Sequence, residues 1–124
     1  MDIKTWNHFP DLASGEHVIL LRTSEYKGGR LTVLVVGSSD DETWSQKNLI
    51  TAHLPMSELT NQHCAYFNTR YHPAAYHWAI QQGICRPTGR SVVSDFCIFP
   101  EVEFTQEALQ SMETLDSYLA AKSA

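Results

Sequence analysis

The chain has 124 residues and a formal net charge of −5, with 43% hydrophobic and 19% charged residues. That length and balance suit one folded domain with its own apolar core and exclude a disordered chain. No apolar run approaches the ~20 residues of a membrane span, and the acidic balance lacks the basic footprint of a protein that grips phosphate backbones, so neither a membrane nor direct nucleic-acid binding is expected.

Residues 3–9 read as a short edge strand, broken by the turn-rich stretch 10–16. Residues 1–12 hold no charged segment followed by an apolar one, so no secretory leader is expected. Three cysteines without a CxxC pair suit buried thiols in a reducing cytoplasm. Residues 17–23 and 30–36 are nearly continuous runs of β-branched and aliphatic residues. Lys27, Gly28 and Gly29 lie between them, and Gly-Gly supplies the positive φ angles of a tight hairpin. Such runs predict central strands covered on both faces, with residues 26–44 at one end of the sheet. Residues 37–46 form a polar loop containing Asp40, Asp41 and Glu42.

Residues 47–54 predict a third strand ended by Pro55, residues 56–62 a helical turn or loop, and residues 63–68 a fourth strand. Pro73 can open a helix, where its missing N–H costs nothing. Tyr76, Ile80 and Ile84 recur at helical spacing, and Gly83 is a natural stop. Arg86-Pro87-Thr88-Gly89-Arg90 predicts a tight turn, followed by a fifth strand over 92–99 that residues 102–104 extend. Residues 105–121 predict one helix. Thr105 is its N-cap, Glu107 suits its first turn, and Leu109, Met112, Leu115 and Leu119 form its apolar stripe. Strands come first and helices late, so the expected fold class is α+β: a single domain over 1–124, with a mostly antiparallel sheet of about five strands and two flanking helices.

The six histidines are His8, His17, His53, His63, His72 and His77. His63 and the adjacent Cys64 point to opposite faces of a strand, and His72 and His77 miss a common helix face, so no metal site is expected. The deaminase, P-loop and GxSxG patterns do not occur, and no cofactor is expected. Cys97, between Phe96 and Ile98, reads as an inert thiol; Cys85, beside Arg86, reads as the more exposed one. Glu101 and Glu103 alternate with Val102 as a solvent-facing edge would, without the apolar surroundings that raise a carboxyl pKa.

Charge is distributed unevenly. Residues 59–94 hold no acid but contain Arg70, Arg86 and Arg90. Asp95, Glu101, Glu103, Glu107, Glu113 and Asp116 then follow with no lysine or arginine between them. A local positive turn beside a negative C-terminal face is the expected result. Arginines and aromatics favour protein interfaces, so partner contacts are expected at Arg70, Tyr71, Trp78, Arg86 and Arg90, or on the acidic face. Arg86 and Arg90 can also simply pair with Glu101 or Glu103, or cap the preceding helix.

Cys64-Ala65-Tyr66-Phe67-Asn68-Thr69, Gly83, Pro87-Thr88-Gly89-Arg90, Ser94-Asp95-Phe96-Cys97 and Phe99-Pro100 through Phe104 together resemble an uncharacterised family. Its members are small proteins carried by bacterial mobile elements, notably conjugative ones. Its pattern is an AFVDTNN strand, a helix ending ENGLG, then PTGR, SGFC and YPLYEF; residues 49–55 match its LTVNLP segment loosely. The resemblance runs over about residues 15–104, with the helix 105–121 outside it. Thr69 and Arg70 stand where the family has paired asparagines, Asp95 where it has glycine, and Phe99 where it has tyrosine. The family implies no reaction and no catalytic residue. It implies a mobile-element setting, in which small acidic accessory proteins occlude host nucleases. The expected function is therefore that of a cytoplasmic, non-enzymatic protein that binds a host or plasmid protein complex, as an anti-defence inhibitor of an immune nuclease. Two other functions fit the residues: an enzyme using Cys85 with His72 or His77, or a homo-oligomeric module, such as a homodimer, packed through Leu115 and Tyr118.

Overall fold

In the computed structural model, which describes residues 5–10, 18–23, 30–37, 49–54 and 56–123, the fold is α+β. Two four-stranded sheets and three helices are present among the described residues. In the first sheet β1 (Thr5–Trp6), β2 (Val18–Thr23) and β3 (Thr32–Gly37) are antiparallel neighbours. β2 and β3 pair over their full length, from Val18 opposite Gly37 to Thr23 opposite Thr32. This is the hairpin the sequence predicts; its Lys27-Gly28-Gly29 turn and the acidic loop with Asp40, Asp41 and Glu42 lie outside the described residues.

The apolar runs of β2 and β3 serve two cores, because alternate residues of a strand point to opposite faces. Val18, Leu20, Val33 and Val35 enter the main cluster with Phe67, Trp78, Val102 and Phe104. Ile19, Leu21, Leu34 and Val36 enter a smaller cluster on the other face with Tyr118, flanked by Leu49 and Leu115.

The second sheet has the order β4-β5-β7-β6. Its strands are β4 (Thr51–Ala52), β5 (Cys64–Phe67), β6 (Cys85–Ser94) and β7 (Cys97–Phe104). One sheet of about five strands was expected, and two are found. The stretch before β4 joins them: Leu49 bridges Leu34, Ile50 N donates to Val33 O at 3.1 Å, and Val33 N donates to Thr51 Oγ1 at 3.2 Å. A side-chain hydroxyl thus substitutes for a ladder carbonyl where the two sheets meet.

α1 (Pro73–Gln81) begins at the proline as expected. Gly83 follows its end with φ of 75°, a left-handed conformation suited to glycine. The helix buries Ala75, Trp78 and Ala79.

Two corrections concern the C-terminal half. The expected strand over 92–99 straddles the real turn, which is Asp95-Phe96 between β6 and β7, with φ of 50° and 66°. The Pro87-Thr88-Gly89 segment is not a turn but an irregularity inside β6. Pro87 lies opposite Val102 and Ser91 opposite Pro100, so β6 accommodates extra residues there, with Gly89 at φ 92°. Proline and glycine mark bulges on edge strands as readily as turns, because an edge position needs no ladder donor.

The tail is also not one helix. α2 (Gln106–Ser111) starts at Thr105, whose Oγ1 accepts from Ala108 N at 3.2 Å. Met112 is extended, at φ −90° and ψ 132°. β8 (Glu113–Thr114) then runs parallel to β2, opposite Leu21 and Arg22, before α3 (Leu115–Ser123). The apolar stripe divides between the two cores: Met112 is buried in the main cluster, whereas Leu115 and Tyr118 pack on the smaller one. A continuous helix would keep these side chains on one face. No helix among the described residues is long and apolar enough to cross a membrane.

Candidate functional site

β7 carries the chemistry of the second sheet. Val102 and Phe104 point into the main core; Glu101 and Glu103, between and beside them, point to the opposite face under residues 56–63. Glu101 is fully buried, which corrects the expected solvent-facing edge. It accepts from Thr60 N at 2.8 Å, Thr60 Oγ1 at 2.6 Å and Thr88 Oγ1 at 2.7 Å. Arg90 Nη1 lies 3.9 Å from its carboxylate and donates to Thr60 Oγ1 at 3.0 Å. Burial pushes the Glu101 carboxyl up more than any other single influence. The hydrogen bonds from Thr60 and Thr88 and the Arg90 charge together outweigh it, and the net shift is downward.

Glu103 accepts from Asn61 Nδ2 at 2.9 Å and pairs with Arg86 at 2.7 Å. These hydrogen bonds, Asn61's first, hold its carboxyl below the usual range. Arg86 and Arg90 therefore pair with Glu103 and Glu101. The Arg-Pro-Thr-Gly-Arg motif works as a clamp: Thr88 and Arg90 hold one carboxylate and Arg86 the other, and both carboxylates fasten residues 60 and 61 onto the sheet. Tyr66 OH, donating to Glu58 O, adds another fastening.

Beyond this clamp the β6–β7 hairpin continues alone. β5 pairs with β7 only from Glu101 to Glu103, while β6 and β7 stay paired out to Ser94 and Cys97. Thr69 Oγ1 donates to Ile98 O at 2.9 Å on the other side of β7. Val93 and Ile98 are opposite each other and are 68% and 63% exposed, and Phe96 at the tip is fully exposed. At the root, buried Phe99 helps line a cleft of about 700 Å³ with His53, Asn68, Arg70, Tyr71 and His72. Tyr71 is exposed, and the Arg70 guanidinium lies over its ring at 5.4 Å.

The other residues singled out in the sequence are scattered. Trp78 is buried: its Nε1 donates to Asn7 O at 2.8 Å, and Phe9 meets its ring edge-on at 5.0 Å. It is a core residue and not a surface contact. Asp95 stands at the hairpin tip, Glu107 on α2, Glu113 on β8 and Asp116 on α3, and the fully buried Glu101 is withdrawn from any acidic surface they form. Phe96, Val93 and Ile98 were missed as surface residues. The available signal was the aspartate before Phe96, which, like asparagine, tolerates left-handed backbone.

The cysteines reverse their expected order. Cys85 is buried opposite Phe104, and burial pushes its thiol up to about 12. Burial also raises Cys64. Cys97, the expected inert thiol, is the half-exposed one. The enzymatic alternative rested on an exposed Cys85, and that exposure is not found. In the native protein a thiol-labelling reagent should modify Cys97 first and reach Cys64 and Cys85 only on unfolding, as mass spectrometry of labelled peptides would show. Among the described residues no three metal-ligating side chains converge.

No curated protein and no solved structure is significantly similar to the chain. Residues 20–120, from β2 into α3, match the family described as a domain of unknown function, DUF4313, and the chain belongs to that family.

Proposed function

We propose that this protein is a non-catalytic binding protein that docks on another protein through the tip of its β6–β7 hairpin, with Arg70 and Tyr71 beside the hairpin root as a second contact. One observation carries the proposal. Phe96 is fully exposed and sits at φ 66°, a conformation that costs a bulky L-residue roughly 1–2 kcal/mol and that glycine adopts freely. A phenylalanine that gains no burial and costs backbone energy is supported by what it touches in a complex. Exposed aromatics on a projecting element are typical anchors of protein interfaces. The setting that the family resemblance implies makes a mobile-element protein acting in the cytoplasm on a host immune nuclease complex the first case to test. The three free thiols are compatible with a reducing compartment.

Phe96→Gly separates the two roles of the residue. It should raise stability by about 1 kcal/mol, seen as a higher urea midpoint. In a tagged pull-down from a host lysate containing its defence systems, the wild type should capture a stoichiometric partner and the variant should lose it, by roughly 30-fold or more for an anchor of at least about 2 kcal/mol. Capture that survives in the folded variant would defeat the proposal.

A further inference from the structure

We infer that two copies of this chain pair edge to edge through the outer edge of β6, Ser91 to Ser94 of one against the same residues of the other, to form a two-fold homodimer. β6 is the last strand of its sheet among the described residues. Its first half has the usual protection of an exposed edge, with Pro87 and the irregularity at Gly89. Its second half has none: Ser91-Val92-Val93-Ser94 is regular in register, uncharged and rich in β-branched residues. An edge of this kind recruits a strand.

The occupant is set by the sequence Arg90-Ser91-Val92-Val93-Ser94-Asp95, which reads the same chemically in both directions except for its ends, and those carry opposite charges. An antiparallel second copy sets Arg90 opposite the partner's Ser94, one residue from the partner's Asp95, whereas a parallel copy in register sets Arg90 on Arg90 and Asp95 on Asp95. Arg90 keeps half of its side chain exposed, and Asp95 is exposed at the turn.

The ladder fixes the register. Ser94 and Cys97 flank a two-residue turn with positive φ at both positions, so they exchange hydrogen bonds, as do Val92 and Phe99 two residues on. Ser91 and Val93 then direct their N–H and C=O away from β7. Pro100, which has no N–H, lies opposite Ser91, at a position where β6 needs none. Centring the dimer on Val92 puts Ser91 opposite the partner's Val93 and satisfies all of these outward groups in both copies. It joins two four-stranded sheets edge to edge and leaves the two Phe96 tips at opposite ends, so partner binding and pairing can coexist. The short ladder makes the association weak, on the order of micromolar.

Sedimentation equilibrium of the purified chain tests the pairing without reference to any other partner. The wild type should pass from the mass of one chain to twice that mass as concentration rises to ~100 μM. Ser91 and Val93 are both exposed, so Ser91→Lys/Val93→Lys should fold normally, place lysines directly opposite lysines, and weaken association at least about tenfold. Ser91→Lys/Val93→Glu places lysine opposite glutamate and should dimerise at least as well as the wild type. A wild type that stays monomeric, a dimer that survives the double-lysine change, or a lysine/glutamate variant as monomeric as the double-lysine one would each overturn the inference.

Discussion

Replacing Glu101 by alanine should lower the stability of the protein by about 3–4 kcal/mol, read as a fall in the urea midpoint. The substitution strips an acceptor from Thr60 N, Thr60 Oγ1 and Thr88 Oγ1 and leaves Arg90 without its buried counter-charge. Alanine leaves a space where the fully buried carboxylate sat and takes the charged acceptor from three part-buried hydrogen bonds at once, so the loss exceeds that of one ordinary hydrogen bond. The pH dependence has a definite sign. The folded-state carboxyl lies below its ordinary value of 4.5, so its contribution is fully present above that pH. It is lost as the pH falls through the folded-state value. Glu101→Gln lacks this titration, while Glu103 shifts in the same direction in both proteins. The stability gap between wild type and Glu101→Gln should therefore narrow on acidification below pH 4.5. A gap that stays constant would mean that the carboxylate is not charged in the native clamp.

Trp78→Ala should cost about 3–5 kcal/mol. The indole is buried in the main core, and it links α1 to the N-terminal segment by both a hydrogen bond to Asn7 O and an edge-on contact with Phe9. Its loss leaves a cavity and removes the indole's hydrogen bond to the Asn7 carbonyl. Trp78→Phe should recover much of the packing and none of the hydrogen bond, settling between wild type and alanine. Because Trp78 is far from an exposed position, a Trp78 variant that remains folded should capture a partner normally. Selective loss of capture at Trp78 would restore it to the interface that arginine and aromatic content first suggested.

Much of the fold was legible from residue pattern. β2 and β3 were readable because uninterrupted apolar runs need both faces covered, and both faces are covered. α1 was readable because Pro73 and Gly83 bracket it with backbone requirements of opposite kinds. The tail was not, since Leu109, Met112, Leu115 and Leu119 satisfy a helical period locally. Only the presence of two separate cores, and a vacant length of β2 beside β1, draws residues 112–114 into an extended strand. The β6–β7 turn was misplaced for a related reason. Pro-Thr-Gly carries the stronger turn chemistry, but Thr88 is held by Glu101, which keeps that segment on the sheet and moves the reversal to Asp95-Phe96.

The clamp was half legible. The pairing of Arg86 and Arg90 with Glu103 and Glu101 could be foreseen from charge alone. The burial of Glu101 could not, because it depends on residues 56–63 crossing the sheet face, and no local signal in that stretch announces the crossing. The exposure of Phe96 was hidden as well: an aromatic within an apolar run reads as core until the turn is located.

Hydrogen exchange on the wild-type protein, free and in complex with a captured partner, tests the docking surface most directly. The amides of Asp95, Phe96 and Cys97, at the turn, should exchange more slowly in the complex, with further protection at Arg70 and Tyr71. Unchanged exchange at the turn, with protection confined to α2 and α3, would contradict the account and move the interface to the acidic C-terminal elements.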